Sequence, residues 1–218
     1  MKNWLKELYR NIFPSECTEC KTLQESPICK KCIQTPFKDI HIKKVILSDQ
    51  VQGDYIFSYN FELIKKALYL IKYQANKSLA TLLSSLIATL NLSLNDKIVI
   101  PIPSSKDREK DRGFDHVLSL FGGLSNKHSL SIFPCLERQN NTPPLNALNK
   151  QKRQDLLKNI FRPNKDLNCN YLYEKEVLLV DDIITTGTSM KEAISVIKEF
   201  KPKSISVLSM CYTELNHD

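Results

Sequence analysis

The stretch that decides the fold runs from Val177 to Met190, VLLVDDIITTGTSM. Four apolar residues, Val177–Val180, form a short uninterrupted run of the kind that makes a strand buried on both faces. The run ends in two adjacent carboxylates, Asp181 and Asp182. A carboxylate only accepts hydrogen bonds, so the pair suits the vicinal hydroxyls of a sugar. A loop rich in hydroxyls follows: Thr185, Thr186, Gly187, Thr188 and Ser189. A phosphate needs backbone N–H groups turned inward, and Gly187 permits a left-handed backbone or a close approach. The apolar spacing then predicts a helix over Ser189–Phe200, whose first turn offers free N–H groups and the positive end of a dipole. The segment reads as a strand–loop–helix turn holding a 5′-phosphorylated ribose. The plainer reading is a strand-to-helix turn whose Thr and Ser residues only cap the helix.

Working outward, Ile98–Pro103 (IVIPIP) predicts a second buried strand and Ile205–Cys211 a third. Residues 61–92 carry apolar residues at helical spacing, with a break at Gln74–Lys77, so two helices are expected. Phe114–Leu124 and Gln151–Ile160 predict further helices, and Pro143–Pro144 marks a loop. Weak alternation over residues 42–60 predicts one or two strands with a turn near Gly53. Strands alternating with helices imply an α/β protein with a parallel sheet, whose ligands collect at the carboxyl ends of the strands. Two polar loops sit there, after Ile98–Pro103 and after Val177–Val180.

At 218 residues and 42% hydrophobic, the chain can bury a core and is not disordered throughout. No apolar run approaches the roughly 18–20 residues needed to cross a bilayer. The N-terminal MKNWLKELYRNIF is charged throughout and is expected to be a short helix rather than a secretion signal. These features predict a cytoplasmic protein, with attachment to the membrane surface as the alternative. The formal charge of +7 is unevenly spread: residues 101–165 hold 12 Lys/Arg against 6 Asp/Glu, residues 166–218 hold 5 against 9. A basic middle section beside an acidic one suits an anionic ligand held near Mg²⁺, and equally a nucleic-acid face.

Seven cysteines argue for metal or free thiols rather than a disulfide framework. Cys17-x₂-Cys20 and Cys29-x₂-Cys32 lie eight residues apart, and each x₂ spacing turns two thiolates onto one metal. Four thiolates make a closed tetrahedral Zn²⁺ site with no position left for water, so its role is structural. Cys135, Cys169 and Cys211 are expected to be buried free thiols. His41 is surplus to the zinc set.

The Val177–Met190 segment resembles the phosphoribosyl pyrophosphate (PRPP) loop of type I phosphoribosyltransferases, through its apolar strand, two acids, and Thr-Thr-Gly with further hydroxyls. The resemblance implies a parallel-sheet core flanked by helices, PRPP as ligand, Mg²⁺ bound through the PRPP oxygens, and a sugar-oxocarbenium-like transition state. Residues 101–116 (PIPSSKDREKDRGFDH) resemble the segment after the first core strand of ComF-type competence proteins, through the basic run into Arg112, Gly113 and Phe114. Residues 136–161 resemble that family's flexible-loop region through Arg138, Thr142, Pro143, Pro144, Leu148, Lys152, Arg153 and Phe161. Leu70–Tyr73 resembles a Lys-Tyr element of the family, in which a four-cysteine zinc module is also usual. Asp115 and His116 depart from a usual Asn-Gln, Leu145 from Gln, and Ala75 from a nearby Gly.

Two units are therefore expected: residues 1–40 with an N-terminal helix and zinc module, and residues 41–218 with a phosphoribosyltransferase-like domain. Ser104, Ser105 and Lys106, extended by Arg108, Lys110 and Arg112, form a basic loop that could meet the pyrophosphate. The plainer reading is a solvated face. Arg138, Lys152 and Arg153 could close over the ligand or follow a nucleic-acid backbone. Tyr69 and Tyr73, interleaved with Lys65, Lys66 and Lys72, could stack bases, although packing of a helix face is the simpler expectation. His116 could transfer a proton, but a lone histidine is more often inert. The resemblance implies a role in natural transformation, with handling of single-stranded DNA and contact with uptake machinery at the inner membrane. The competing reading is a metabolic phosphoribosyltransferase acting on a base or amine; a mere PRPP sensor is a third.

Overall fold

The computed structural model describes residues 15–24, 27–38, 40–48, 51–94, 96–128, 130–139 and 160–213. The expected helices at the N-terminus and at Gln151–Ile160, the Pro143–Pro144 loop, and Thr142, Leu145, Leu148, Lys152 and Arg153 lie outside these residues. The chain divides into two compact units, Met1–Ile40 and His41–Asp218.

The first unit pairs two short strands, β1 (Ser15–Glu16) and β2 (Leu23–Gln24), antiparallel. A short helix, α1 (Lys30–Gln34), and a 3-10 turn follow. Ile28 and Ile33 are buried. That is too little apolar surface for so short a segment to fold on its own.

The second unit is built on a five-stranded sheet in the order β3-β4-β9-β8-β5. Its strands are β3 (Lys43–Ser48), β4 (Val51–Ser58), β5 (Ile98–Pro101), β8 (Glu176–Ile184) and β9 (Ser204–Tyr212). β3 and β4 are antiparallel, and the remaining pairings are parallel. Every side chain of β5 is buried, which is why it reads as an unbroken apolar run. β8 continues four residues beyond Val180, because its ladder with β9 holds as far as the pair Ile184–Tyr212. Both acids thus sit inside the sheet rather than in the loop after it.

The break at Gln74–Lys77 separates α2 (Glu62–Tyr73) from α3 (Lys77–Ala88), with the Asn76 side chain accepting from the Leu79 N–H at 3.0 Å. Gly53 is not a turn residue. It lies within β4, where a Cβ would stand 3.1 Å from the Cβ of Val207 and 3.2 Å from Val45 Cγ1. The helix expected over Phe114–Leu124 is two: α5 (His116–Phe121) and α6 (Gly123–His128). A Cβ on Gly123 would lie 2.6 Å from the Ser84 carbonyl oxygen, and its N–H donates to Ser84 Oγ at 2.7 Å, so this glycine lets the chain meet α3. The polar run Lys106–Arg112 also forms a helix, α4, which ends on left-handed Gly113. One core holds Val45, Leu47, Ile100, Leu179 and Val207 of the sheet together with Met190 and Ile194 of α7 (Thr188–Lys198). A small antiparallel pair, β6 (Leu136–Arg138) with β7 (Phe161–Pro163), joins the same core.

Candidate functional site

The loop between β8 and α7 has the backbone its sequence predicts. Gly187 adopts φ +72°, immediately before the first turn of α7, and a Cβ there would approach Leu47 Cδ2 at 3.3 Å. A left-handed residue at a helix start turns successive N–H groups toward one point. Asp181, Thr185, Thr186, Gly187, Thr188 and Ser189 line a single small depression, and the Thr186 and Thr188 hydroxyls lie 3.0 Å apart across it.

Consecutive strand residues point to opposite faces, so the two acids have different surroundings. Asp181 lines the loop depression, its Oδ1 accepting the Asp182 N–H at 2.8 Å. Burial, and after it the charge of Asp182, hold the Asp181 carboxyl well above the usual range. Asp182 is only 4% exposed, and its Oδ2 receives Lys72 Nζ of α2 and His116 Nε2 of α5, the latter at 3.0 Å. Burial opposes ionisation of Asp182. The hydrogen bond from His116 and the charge of Lys72 outweigh it and hold the carboxyl below the usual range. Arg112 of α4 completes the group, with Nη1 2.8 Å from His116 Nδ1 and Nε donating to the Lys72 carbonyl at 3.0 Å. Burial lowers the Arg112 pKa, against the pull of Asp115 and Asp182. In the sequence these residues stand apart, and a lone histidine such as His116 reads as inert. The fold instead joins four elements through it.

Ser104 and Ser105 follow β5, with Ser105 at the N-cap position of α4 but making no side-chain capping bond. The neighbouring Ile102 N–H donates to the Val180 carbonyl at 2.9 Å, which ties this loop to β8. Ser104 Oγ is buried with no hydrogen-bond partner among the described residues, as are Ser209 Oγ and Thr213 Oγ1. Ser209 lies beside Asp181 in the β8–β9 ladder, and Thr213 N–H donates to the Ile184 carbonyl. Unsatisfied buried hydroxyls are rare in native proteins and require an explanation; here all three flank the end of β8. Nothing in the local sequence marks Ser209 or Thr213. Lys106 and Lys110 border a separate open cleft, whereas Arg108 and Arg112 share a cationic cleft with Lys72 and Tyr73. Arg138 lies over the Phe161 ring at 5.8 Å, and burial lowers its pKa, followed by repulsion from Arg108 and offset by Asp181.

A further groove of about 430 Å³ runs beside this site, within the size range of small-molecule pockets. Tyr59, Lys66, Leu68, Tyr69 and Tyr73 line it, and Ile183 borders both it and the loop depression. Tyr69 and Tyr73 do not pack a helix face: they are 55% and 70% exposed, with ring centroids 5.0 Å apart. Five residues of α2, Ile64, Ala67, Leu68, Leu70 and Ile71, already fill its buried side.

In the first unit, the sulfur atoms of Cys17, Cys20, Cys29 and Cys32 all lie within 4.8 Å of one another. Cys20 and Cys29 sulfurs are 3.7 Å apart, close to the edge of about 3.8 Å that follows from zinc–sulfur bonds near 2.3 Å at tetrahedral angles. The Cys29 N–H points at Cys17 Sγ and the Cys32 N–H at Cys29 Sγ, each at 3.3 Å. Hydrogen bonding from Thr22 draws the Cys20 thiol down to about 6, while its neighbour Cys29 pushes Cys32 up to about 12. Four thiolates this close repel unless a cation lies among them, so the donor set fits a metal. The three remaining cysteines are buried and free, as their scatter predicts.

A phosphoribosyl transferase domain model matches residues 143–214, spanning β8, the loop and α7. Over 196 residues the chain is 26% identical to competence protein ComFC of Bacillus subtilis (strain 168), covering 84% of this chain and 75% of that protein. A solved structure of the allosteric regulatory enzyme of purine biosynthesis aligns at a TM-score of 0.39 and 14% identity. It covers 62% of this chain, which spans a quarter of that structure's length, and decides nothing further. The parallel sheet and the match over residues 143–214 give the second unit a phosphoribosyltransferase-like fold. The relative it resembles over most of its length is a competence protein of the ComFC type.

Proposed function

We propose that this chain binds PRPP with Mg²⁺ at the carboxyl end of β8 and serves natural transformation by handling incoming single-stranded DNA. The observation that carries the first half is left-handed Gly187, set between a buried strand and the N-terminus of α7, with two acids before it. In this reading Thr185–Ser189 hold the 5′-phosphate and Asp181 and Asp182 address the ribose hydroxyls. Ser104, Ser105, Arg108 and Arg112 face the pyrophosphate, with Lys106 at the separate cleft, and the unpartnered Ser104 hydroxyl supports that side. Mg²⁺ rides on the PRPP oxygens, neutralising charge that the protein's own cations do not. Cys17, Cys20, Cys29 and Cys32 hold a structural Zn²⁺.

The second half rests on the likeness to the competence protein and on the exposed tyrosine pair beside lysines on α2. Aromatic faces stack bases without sequence preference, and lysines meet the backbone phosphates. Among the described residues no helix is long and apolar enough to cross a membrane; a place in the cytoplasm, peripheral to inner-membrane uptake machinery, completes the proposal. The test is product analysis after incubation with PRPP, Mg²⁺ and either single-stranded DNA or a panel of bases, alongside a deletion strain. The proposal expects PRPP binding and loss of transformation. A deletion strain that transforms normally but loses growth on a purine, pyrimidine or amine source replaces it with the metabolic reading.

A further inference from the structure

The Arg112–His116–Asp182 chain carries an assignment of protons. A guanidinium has donors and no acceptor. With Arg112 Nη1 2.8 Å from His116 Nδ1, that nitrogen must present its lone pair, and the ring hydrogen must sit on Nε2. Nε2 is 3.0 Å from Asp182 Oδ2 and therefore donates to it. Lys72 Nζ donates to the same oxygen. Oδ2 is thus committed twice, while the carboxyl group's other contact is with Asp181, the neighbouring acid of the site. We infer that His116 is a positioning residue of the sugar site: a neutral N–H donor, its tautomer fixed by Arg112, that holds Asp182 by Oδ2 and so orients its carboxylate beside Asp181. The inference rests on the PRPP reading of the β8 loop and assigns that site a device the loop motif does not contain.

The same geometry makes the device sensitive to acid. A proton added to Nδ1 sets two donors head to head at 2.8 Å and a second cation beside the guanidinium. Arg112 must then withdraw, and its Nε releases the Lys72 carbonyl at the end of α2. The charged groups that touch the ring are Arg112 from α4 and Asp182 from β8; Lys72 from α2 shares the Asp182 oxygen, Asp115 precedes the ring at the start of α5, and Asp181 of β8 and Cys211 of β9 act on it through Asp182. His116 is 6% exposed, so bulk water does not take over the lost bonds.

Two measurements on the full chain test this. Histidine ¹⁵N spectra at pH 7.5 should give His116 as the neutral Nε2–H tautomer. Calorimetric titration with Mg²⁺ and PRPP at pH 7.5 and at progressively lower pH should then compare wild type, His116→Gln and His116→Ala. Glutamine keeps an N–H donor and cannot titrate. It should hold near wild-type affinity at pH 7.5 and lose less than wild type on acidification, the ligand's own phosphate titration being common to both. His116→Ala should bind about tenfold more weakly throughout. A doubly protonated or Nδ1–H ring at pH 7.5 overturns the inference, as does an acid slope unchanged by glutamine in a wild type that binds. Wild type that fails to bind at every pH overturns the PRPP reading itself, and the positioning role with it.

Discussion

Gly187→Ala isolates the loop from the rest of the fold. The residue sits at φ +72°, where an L side chain costs about 1–2 kcal/mol. The added Cβ would meet Leu47 Cδ2 at 3.3 Å, the tip of a flexible side chain that can give by a few tenths of an ångström, so the backbone term dominates. The loop has two responses. It can keep the left-handed turn and lose that energy from stability, or relax and swing its N–H groups out of the depression. If relaxation wins in the free protein, rebuilding the turn on binding weakens affinity by the same about 1–2 kcal/mol, or roughly 5- to 30-fold. Gly113→Ala is the matched control for strain: its φ is +79° with nothing within 4 Å of the added carbon, and it caps α4. Thermal melts should show any retained strain in either variant as a few degrees. Calorimetry with Mg²⁺ and PRPP should show the affinity loss for Gly187→Ala. An unchanged affinity, together with a melting loss equal to that of Gly113→Ala, would refute the claim that this turn presents donors to a phosphate.

The purified chain should carry one Zn²⁺, and Cys17→Ser or Cys32→Ser should leave the first unit open to protease; reducing preparations without zinc by metal analysis would sink the site. Tyr69→Ala and Tyr73→Ala should each weaken single-stranded DNA binding by roughly tenfold with PRPP affinity retained, and an unaltered DNA titration at low salt would rule out the α2 groove. Alkali should destabilise the fold through its buried thiols: burial pushes Cys135 and Cys211 up to about 12 from 9.0. The unfolded chain therefore loses those protons first, and stability falls as pH rises from 9 toward 12. Cys211→Ala should make that decline shallower in denaturant melts by up to about 1.4 kcal/mol per pH unit; equal slopes would show that the thiol does not titrate between the two states.

Where a local pattern sufficed, the sequence was legible. β5, β8 and β9 announced themselves as apolar runs, the α2–α3 break by the polar stretch Gln74–Lys77, and the left-handed turn by Gly187. Helix α4 was not legible by periodicity, because KDREKDR contains no apolar residue to be periodic; its signal was the glycine that stops it. Gly53 and Gly123 resemble turn and helix residues in isolation, and only Val207 and Ser84, far along the chain, explain them. The tyrosines were misjudged because aromatic residues at helical spacing usually mean core. The apolar stripe of α2 was already complete without Tyr69 and Tyr73. The link among Lys72, Arg112, His116 and Asp182 needed three-dimensional structure, since each residue comes from a different element and only Arg112 and His116 lie close in sequence.

The depth to which β8 carries its acids has a consequence for how such a scaffold can be altered. Asp181 and Asp182 are fixed by a ladder that continues past them, so the sugar end of the site is set by the sheet and tolerates little revision. The adjoining groove is walled by the outer surface of one helix, where Lys66, Tyr69 and Tyr73 face solvent and bear little of the core. Diversity introduced at those three positions would vary what is recognised beside the sugar while leaving its anchor untouched. A lineage or a combinatorial library could explore new partners on that helix without first having to rescue the fold.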